Sequence, residues 1–234
     1  MSITDGTPSA AHRIRRHVAA ASLVTFPALL VVEALIDPAA GGTGEVMVRS
    51  ASDHPRALVA AAVLLMLSGV LMAPAVGGLL HQARDRGAAV TNLAAALGVL
   101  GGFGHFAIGM FCLVAMGLPG GDRAEMAAYI DRLNATPALV AVAFPLILCF
   151  GLGVVAMAWA AWRTALVGLW GPVAVTVVVV LHSLLPSNEL SFEVAGLGVI
   201  AVVFGYLGVR VARLSDAEWS PLPPARAVPE AAAV

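Results

Sequence analysis

Six stretches of this chain are apolar almost without interruption, and short polar segments separate them. They cover residues 18–36, 57–80, 88–118, 138–162, 170–185 and 190–209. The first four reach the roughly 20 residues that cross about 30 Å of hydrocarbon at about 1.5 Å per residue. The last two are shorter, and one re-entrant element would use the same letters. No stretch alternates with period two, as barrel strands of about ten residues do, so each run predicts a helix. The pattern therefore describes an all-α polytopic membrane bundle of six transmembrane helices.

Three domains of behaviour follow along the chain. Residues 1–16 form a polar lead, 17–214 the membrane domain, and 215–234, rich in proline and alanine, a disordered tail. The first run outlasts the roughly 7–15 residues of a signal-peptide core and contains Glu33, which favours an uncleaved anchor. Pro27, Pro74 and Pro145 fall near the middle of their runs. Proline removes one backbone hydrogen bond and kinks a helix, and three kinks leave room for a cavity.

Two of the polar segments resemble each other. PAAGGTGEVMVRSASD, from Pro38, and PGGDRAEMAAYIDRLN, from Pro119, each carry a proline, a glycine pair, and a glutamate shortly before a methionine. ALVAAAV and ALVAVAF follow them, which suggests a helix-loop-helix unit repeated after about 80 residues. In the second segment Asp122 and Glu125 make a capping box, and Met126, Ile130 and Leu133 recur at helical spacing. This predicts a short amphipathic surface helix between the third and fourth spans.

Composition agrees with the pattern: 60% of residues are hydrophobic, 12% are charged, and the mean hydropathy is +0.92. With a net charge of −1 there is no basic footprint for nucleic acid. Every basic side chain is arginine, a bias that points to a bacterial chain and hence to an inner (plasma) membrane, crossed several times. Counting six spans, Arg13, Arg15, Arg16, Arg84, Arg86, Arg163, Arg210, Arg213 and Arg226 gather on one side, and Arg49, Arg56, Arg123 and Arg132 on the other. The positive-inside rule makes the first side cytoplasmic and puts both termini there. Cys112 and Cys149 sit at different depths in apolar runs and are expected as free thiols, with neither disulfide nor metal.

Ionisable groups in hydrocarbon are costly, and their depths single out a layer. Glu33, His182 and Glu193 each fall roughly 6–8 Å inside the outer boundary. The tight turn at 186–189 makes the fifth and sixth helices neighbours, so His182 and Glu193 are candidates for direct contact. Glu189 and Glu193 form an i,i+4 pair of like charges. These four residues, Glu33, His182, Glu189 and Glu193, are the candidate catalytic groups. His105 lies deeper, roughly 18 Å from the outer end. It belongs to a stripe, Gly101, His105 and Gly109, with Gly98 and Gly102 beside it, that admits either a close helix or a ligand.

A protonated carboxyl with a histidine as proton acceptor can work on an alkene or epoxide, which makes an enzyme acting on a lipophilic, isoprenoid-like substrate one reading. His105, Phe26, Phe106 and Phe192 are the candidate substrate-binding residues, the aromatic faces suiting a cationic intermediate. In size, helix count and layer of carboxyls the chain resembles the small integral-membrane terpene cyclases. That likeness is architectural, covers no motif and carries over no residue; it implies acid-initiated lyase or isomerase chemistry without cofactor or metal. Lipophilic small molecules and membrane lipid are the expected partners, with a homo-oligomer possible. Other readings are a proton-coupled carrier, which a short chain would build as an oligomer, and a non-catalytic accessory protein. His105 and His182 differ by about 12 Å in depth, too far to share one haem iron.

Overall fold

The structure is a computed structural model and describes residues 10–39, 42–83, 88–117, 122–185 and 190–219. The described residues are helices and their connections: α1 (Ala10–Ile36), α2 (Gly44–Asp53), α3 (Pro55–Gln82), α4 (Ala88–Met116), α5 (Arg123–Asn134), α6 (Pro137–Arg163), α7 (Trp170–Leu184), α8 (Leu190–Arg213) and α9 (Asp216–Trp219). Of these, α1, α3, α4, α6 and α8 are long and apolar enough to cross a membrane. The fifth apolar run behaves differently: α7 has 15 residues and reaches about 22 Å, short of a full hydrocarbon crossing. Pro27, Pro74 and Pro145 each lie within an unbroken helix. Pro55 and Pro137 instead open α3 and α6, where the missing N–H costs nothing.

The long helices close into a ring. Each packs on the next in the order α1, α3, α4, α6, α7, α8, and α8 returns to α1. Close approach depends on glycine, as expected where lipid supplies no hydrophobic drive between helices. Toward α3, Gly102 lies against the Gly69 carbonyl, and a Cβ at Gly109 would come within 2.7 Å of the Ala62 carbonyl. Toward α6, a Cβ at Gly153 would come within 2.8 Å of the Gly98 backbone nitrogen, and one at Gly101 within 2.6 Å of the Phe150 nitrogen. The glycine stripe of α4 is thus used for helix contact on two sides.

The segment from Pro38, read above as a loop, contains α2. Thr43 caps it by accepting from the Val46 N–H at 3.3 Å, and Glu45 adds negative charge to the first turn. The predicted amphipathic helix is α5, with Asp122 accepting from the Ala124 N–H at 2.8 Å. The two short helices pair: Gly44 abuts the Ala127 carbonyl, and its N–H donates to Asp131 Oδ1 at 2.7 Å. The likeness of the two segments therefore extends to their structure, as α1-α2-α3 and α4-α5-α6. A small apolar cluster of Met47, Val48, Leu58, Ala115 and Ile130 lies beneath the pair and closes this end of the ring.

The opposite end is held by a clasp. Part of what was read above as a disordered tail, Asp216–Trp219, instead forms α9 and docks on α1 and α3. Trp219 is buried, its ring 4.5 Å from that of His81, and its carbonyl accepts from His81 Nε2 at 2.7 Å. Buried Arg16 donates from Nη1 to the Leu214 carbonyl and to Asp216 Oδ1, both at 2.7 Å. The remaining tail, like Arg84, Arg86 and Arg226, lies outside the described residues.

Glu218 starts α9 with a reciprocal cap. The Ser215 N–H and hydroxyl both donate to Glu218 Oε2, at 2.7 and 2.8 Å, and these bonds hold its carboxyl below the ordinary carboxylate value. A depressed folded-state value means that the stabilisation is complete above the unfolded value and is lost as pH falls through the folded one. Amide exchange of residues 215–219, corrected for intrinsic rates, is expected to accelerate below the normal carboxylate range. Glu218→Gln should remove that pH dependence, and an unchanged profile would contradict the assignment.

Candidate functional site

The main core fills only the half of the ring near the clasp. Phe26 and Phe204 meet there edge to face at 5.2 Å, surrounded by Leu23, Met72, Val154, Met157 and Leu207. Helices α3 and α4 bury residues along their whole length, but the other side of the ring does not. Buried positions begin only at Gly153 on α6, end at Val175 on α7, and begin only at Ile200 on α8. Toward the α2/α5 end these three helices expose apolar side chains such as Val142, Phe144, Leu184 and Leu190. The ring is consequently packed at one end and loosely joined on one flank at the other.

Helical register carries ionisable groups into that looser half. Glu33 lies seven residues beyond Phe26 and so continues the buried stripe of α1. Glu193 stands seven before Ile200 and continues the stripe of α8. On α4, His105 and Cys112 follow Gly98 at steps of seven, pointing between the faces that meet α3 and α6. The three helices bring Glu33, Glu193 and Cys112, though not His105, toward one neighbourhood. Glu33 is within Coulombic range of Glu193 and Asp37, and Cys112 within range of Asp37 and Glu33. Glu33 and Glu193 are both half-buried.

His105 lies deeper. Its ring stacks on Phe150 of α6 at 3.8 Å, and its Nδ1 is buried without a hydrogen-bond partner. The residue is half-buried. At the rim, His182 is exposed and lies parallel to Phe192 with ring centroids 6.0 Å apart. The neighbour relation of α7 and α8 expected from the short turn is present. His182, however, meets Phe192 and forms no ion pair or hydrogen bond with Glu193. Glu189 lies outside the described residues.

The aromatic candidates divide by environment. Phe192 and Phe150 border the loose half through their histidine partners. Phe26 is fully buried, and its ring is used in packing α1 on α8. Phe106 points away from the ring's interior. With Phe103, Val70 and Val99 it lines an outward-facing groove of about 280 Å³ between α3 and α4, floored by Gly69 and Gly102. No group of three or more His, Cys, Asp or Glu among the described residues is arranged to hold a metal ion. Both cysteines are free thiols.

Sequence reading missed Asp37, four residues past Glu33, and Cys112 as a companion of the acids. Continuing each buried stripe by steps of seven would have found both. No family model, no curated protein and no solved structure matches this chain.

Proposed function

We propose that the loose half of the ring is a binding chamber for a lipophilic molecule drawn from the bilayer, and that Glu33 and Glu193 perform acid-base chemistry on it. The observation that carries this reading is the arrival of two carboxyls from opposite ends of the chain on the inward stripes of α1 and α8. A carboxyl has little reason to occupy an apolar interior unless it binds or reacts. The unpacked flank formed by α6, α7 and α8 supplies a route from lipid.

For an isoprenoid-like substrate of the terpene-cyclase type, one carboxylic acid O–H breaks as a C–H bond forms on an alkene, leaving a carbocation. A second base, the other carboxylate or His182, then removes a neighbouring proton, so the product is an isomer of the substrate. The aromatic faces of Phe150 and Phe192 stabilise the intermediate charge. In this reading α7 and α8 complete six spans, and the arginine-rich clasp end, with both termini, is cytoplasmic. Protein in nanodiscs incubated with farnesyl- or geranylgeranyl-bearing lipids in deuterated water is expected to yield an isomer that has gained one deuterium. Glu193→Gln and His182→Ala should each reduce its formation at least 100-fold with expression unchanged; full activity in both variants removes the reading.

A second reading, a proton-coupled carrier, is favoured by one observation, the repetition of long helix, short helix and long helix in α1-α2-α3 and α4-α5-α6. Uptake into proteoliposomes driven by a pH gradient and lost in Glu33→Gln would select it over the enzyme.

A further inference from the structure

We infer that the clasp end holds a site for a phosphate oxyanion, bound by the side chains of Arg16, Gln82 and Trp219. The site lies at the other end of the ring from the proposed chamber and is independent of that reading. Among the described residues four buried side-chain nitrogens have no hydrogen-bond partner: Arg16 Nε, Gln82 Nε2, Trp219 Nε1 and His105 Nδ1. Three of these four belong to one junction, where α1, α3 and α9 meet. There Gly78 of α3 abuts Ala19 of α1, and a Cβ at Gly78 would lie 3.8 Å from Trp219 Cη2. Gln82 stands four residues past Gly78 and Arg16 three before Ala19, so each lies along the same seam about one turn nearer the clasp. Trp219 follows Asp216, which Arg16 Nη1 holds at 2.7 Å, and the Trp219 carbonyl is fixed by His81, the neighbour of Gln82.

What these groups share is that they donate. A guanidinium Nε–H and an indole N–H never accept, and the enclosed atom of Gln82 is its amide nitrogen. Arg16 is 9% exposed and Trp219 2%, so solvent does not satisfy them. Native proteins seldom leave buried donors unmatched, and several at one junction need a shared acceptor. A single water oxygen has too few lone pairs for all of these N–H groups, whereas a phosphate offers oxygens on several sides and a charge that suits the guanidinium. Arg16 Nη1 already serves the Leu214 carbonyl and Asp216, which leaves the Nε–H for a further acceptor. The other acid of α9, Glu218, is engaged by Ser215. Arg13 and Arg15, exposed on the adjoining turn of α1, form no ion pair among the described residues and add positive potential to the approach. Arg16 and Gln82 each lie two residues outside an apolar run, 18–36 and 57–80, which is the level of the headgroups. The same donors therefore serve a lipid phosphodiester or free phosphate.

The test uses full-length protein in dodecyl maltoside micelles, which carry no phosphate, and follows the Trp219 indole N–H by two-dimensional NMR, with Trp219→Phe for its assignment. Inorganic phosphate and dihexanoyl phosphatidylglycerol are titrated separately at constant ionic strength. A saturable shift of that resonance is expected with at least one of them. A response to inorganic phosphate identifies a soluble oxyanion, and a response to the phospholipid alone identifies a headgroup. At about ten times Kd, exchange of the 215–219 amides should slow about tenfold. Gln82→Glu keeps the side-chain shape but puts a carboxylate among the donors, so it should abolish the response to ligand and slow those amides without any ligand. Arg16→Lys, which keeps a charge for Asp216 but lacks the Nε–H, should weaken binding at least tenfold, and it decides the matter if Gln82→Glu does not fold. Phosphorus released by acid digestion of the purified protein detects a ligand retained through purification; it is then stoichiometric in the unaltered chain and lost in Gln82→Glu. No shift with either titrant together with no bound phosphorus overturns the site. A shift or a phosphorus content that both substitutions leave unchanged overturns it as well.

Discussion

Gly153→Leu is expected to abolish recovery of folded protein, the largest single-residue effect anticipated for this chain. At Gly153 a Cβ alone would stand 2.8 Å from the backbone nitrogen of Gly98, 2.9 Å from its Cα and 2.9 Å from the Leu97 carbonyl carbon. These are atoms of the facing helix backbone, which cannot rotate aside as a side chain would. Relief requires α6 to move off α4, and the Val154, Met157 and Ala158 contacts of the main core go with it. Overpacking of side chains costs about 1–3 kcal/mol, and a backbone collision at a helix seam belongs at or above the top of that range. Gly205→Leu is the control, because nothing lies within 4 Å of a Cβ there and leucine is the better helix former. The measurement is the monodisperse fraction after detergent extraction. A normal yield for Gly153→Leu, or equal losses for both variants, would show that the α4/α6 seam is not packed as described.

Trp219→Ala is expected to release the clasp while leaving the ring intact. Removing a buried tryptophan from a core costs about 3–5 kcal/mol, but here the loss is limited to the free energy that docks α9. Once α9 leaves, the His81 Nε2–H loses the Trp219 carbonyl and Arg16 loses Asp216, so one substitution undoes contacts to both α1 and α3. The expected readouts are new tryptic cleavage after Arg213, at least 100-fold faster exchange of the 215–219 amides, and unchanged protection in α3 and α4. Asp216→Asn should give a weaker version, worth about 1 kcal/mol, because the partly exposed carboxylate of the pair is screened by solvent. Loss of the whole bundle on Trp219→Ala would instead make the clasp part of the global fold.

The long helices were legible because hydrocarbon demands length and apolarity from every residue in a span, and both properties are local. The ends observed for α3, α4 and α6 fall within two residues of the apolar runs. The cap of α5 was readable for the same reason, since Asp122 acts on an N–H two residues away. The Thr43 cap of α2 was equally local and its ten residues carry a strong apolar period, so this helix too was legible in the sequence although it was read as a loop. At the α6 to α7 turn the sign was misleading. A left-handed residue at a helix C-terminus is usually glycine, whereas here Ala165 takes φ 59° and its N–H closes on the Trp162 carbonyl at 3.0 Å.

For the site, counting residues along each run led to the expectation that Glu33, His182 and Glu193 share one layer, and the structure adds that Glu33 and Glu193 continue the buried stripes of α1 and α8. Counting could not say that His182 would meet Phe192, or that Phe26 and Phe106 would go to the core and to an outer groove.

What the chain determined by itself is therefore its class and the positions and lengths of its long helices, because length and apolarity are read residue by residue. Tertiary structure alone decided which neighbours the glycines of α4 would meet, that α8 would close the ring on α1, that α9 would clasp the far end, and that the buried positions of α6, α7 and α8 would be confined to the half near that clasp. Those outcomes depend on contacts between residues as far apart as Arg16 and Asp216 or Gly44 and Asp131. No local pattern encodes such pairings, since each is chosen by the fit of two surfaces that exist only after both helices have formed.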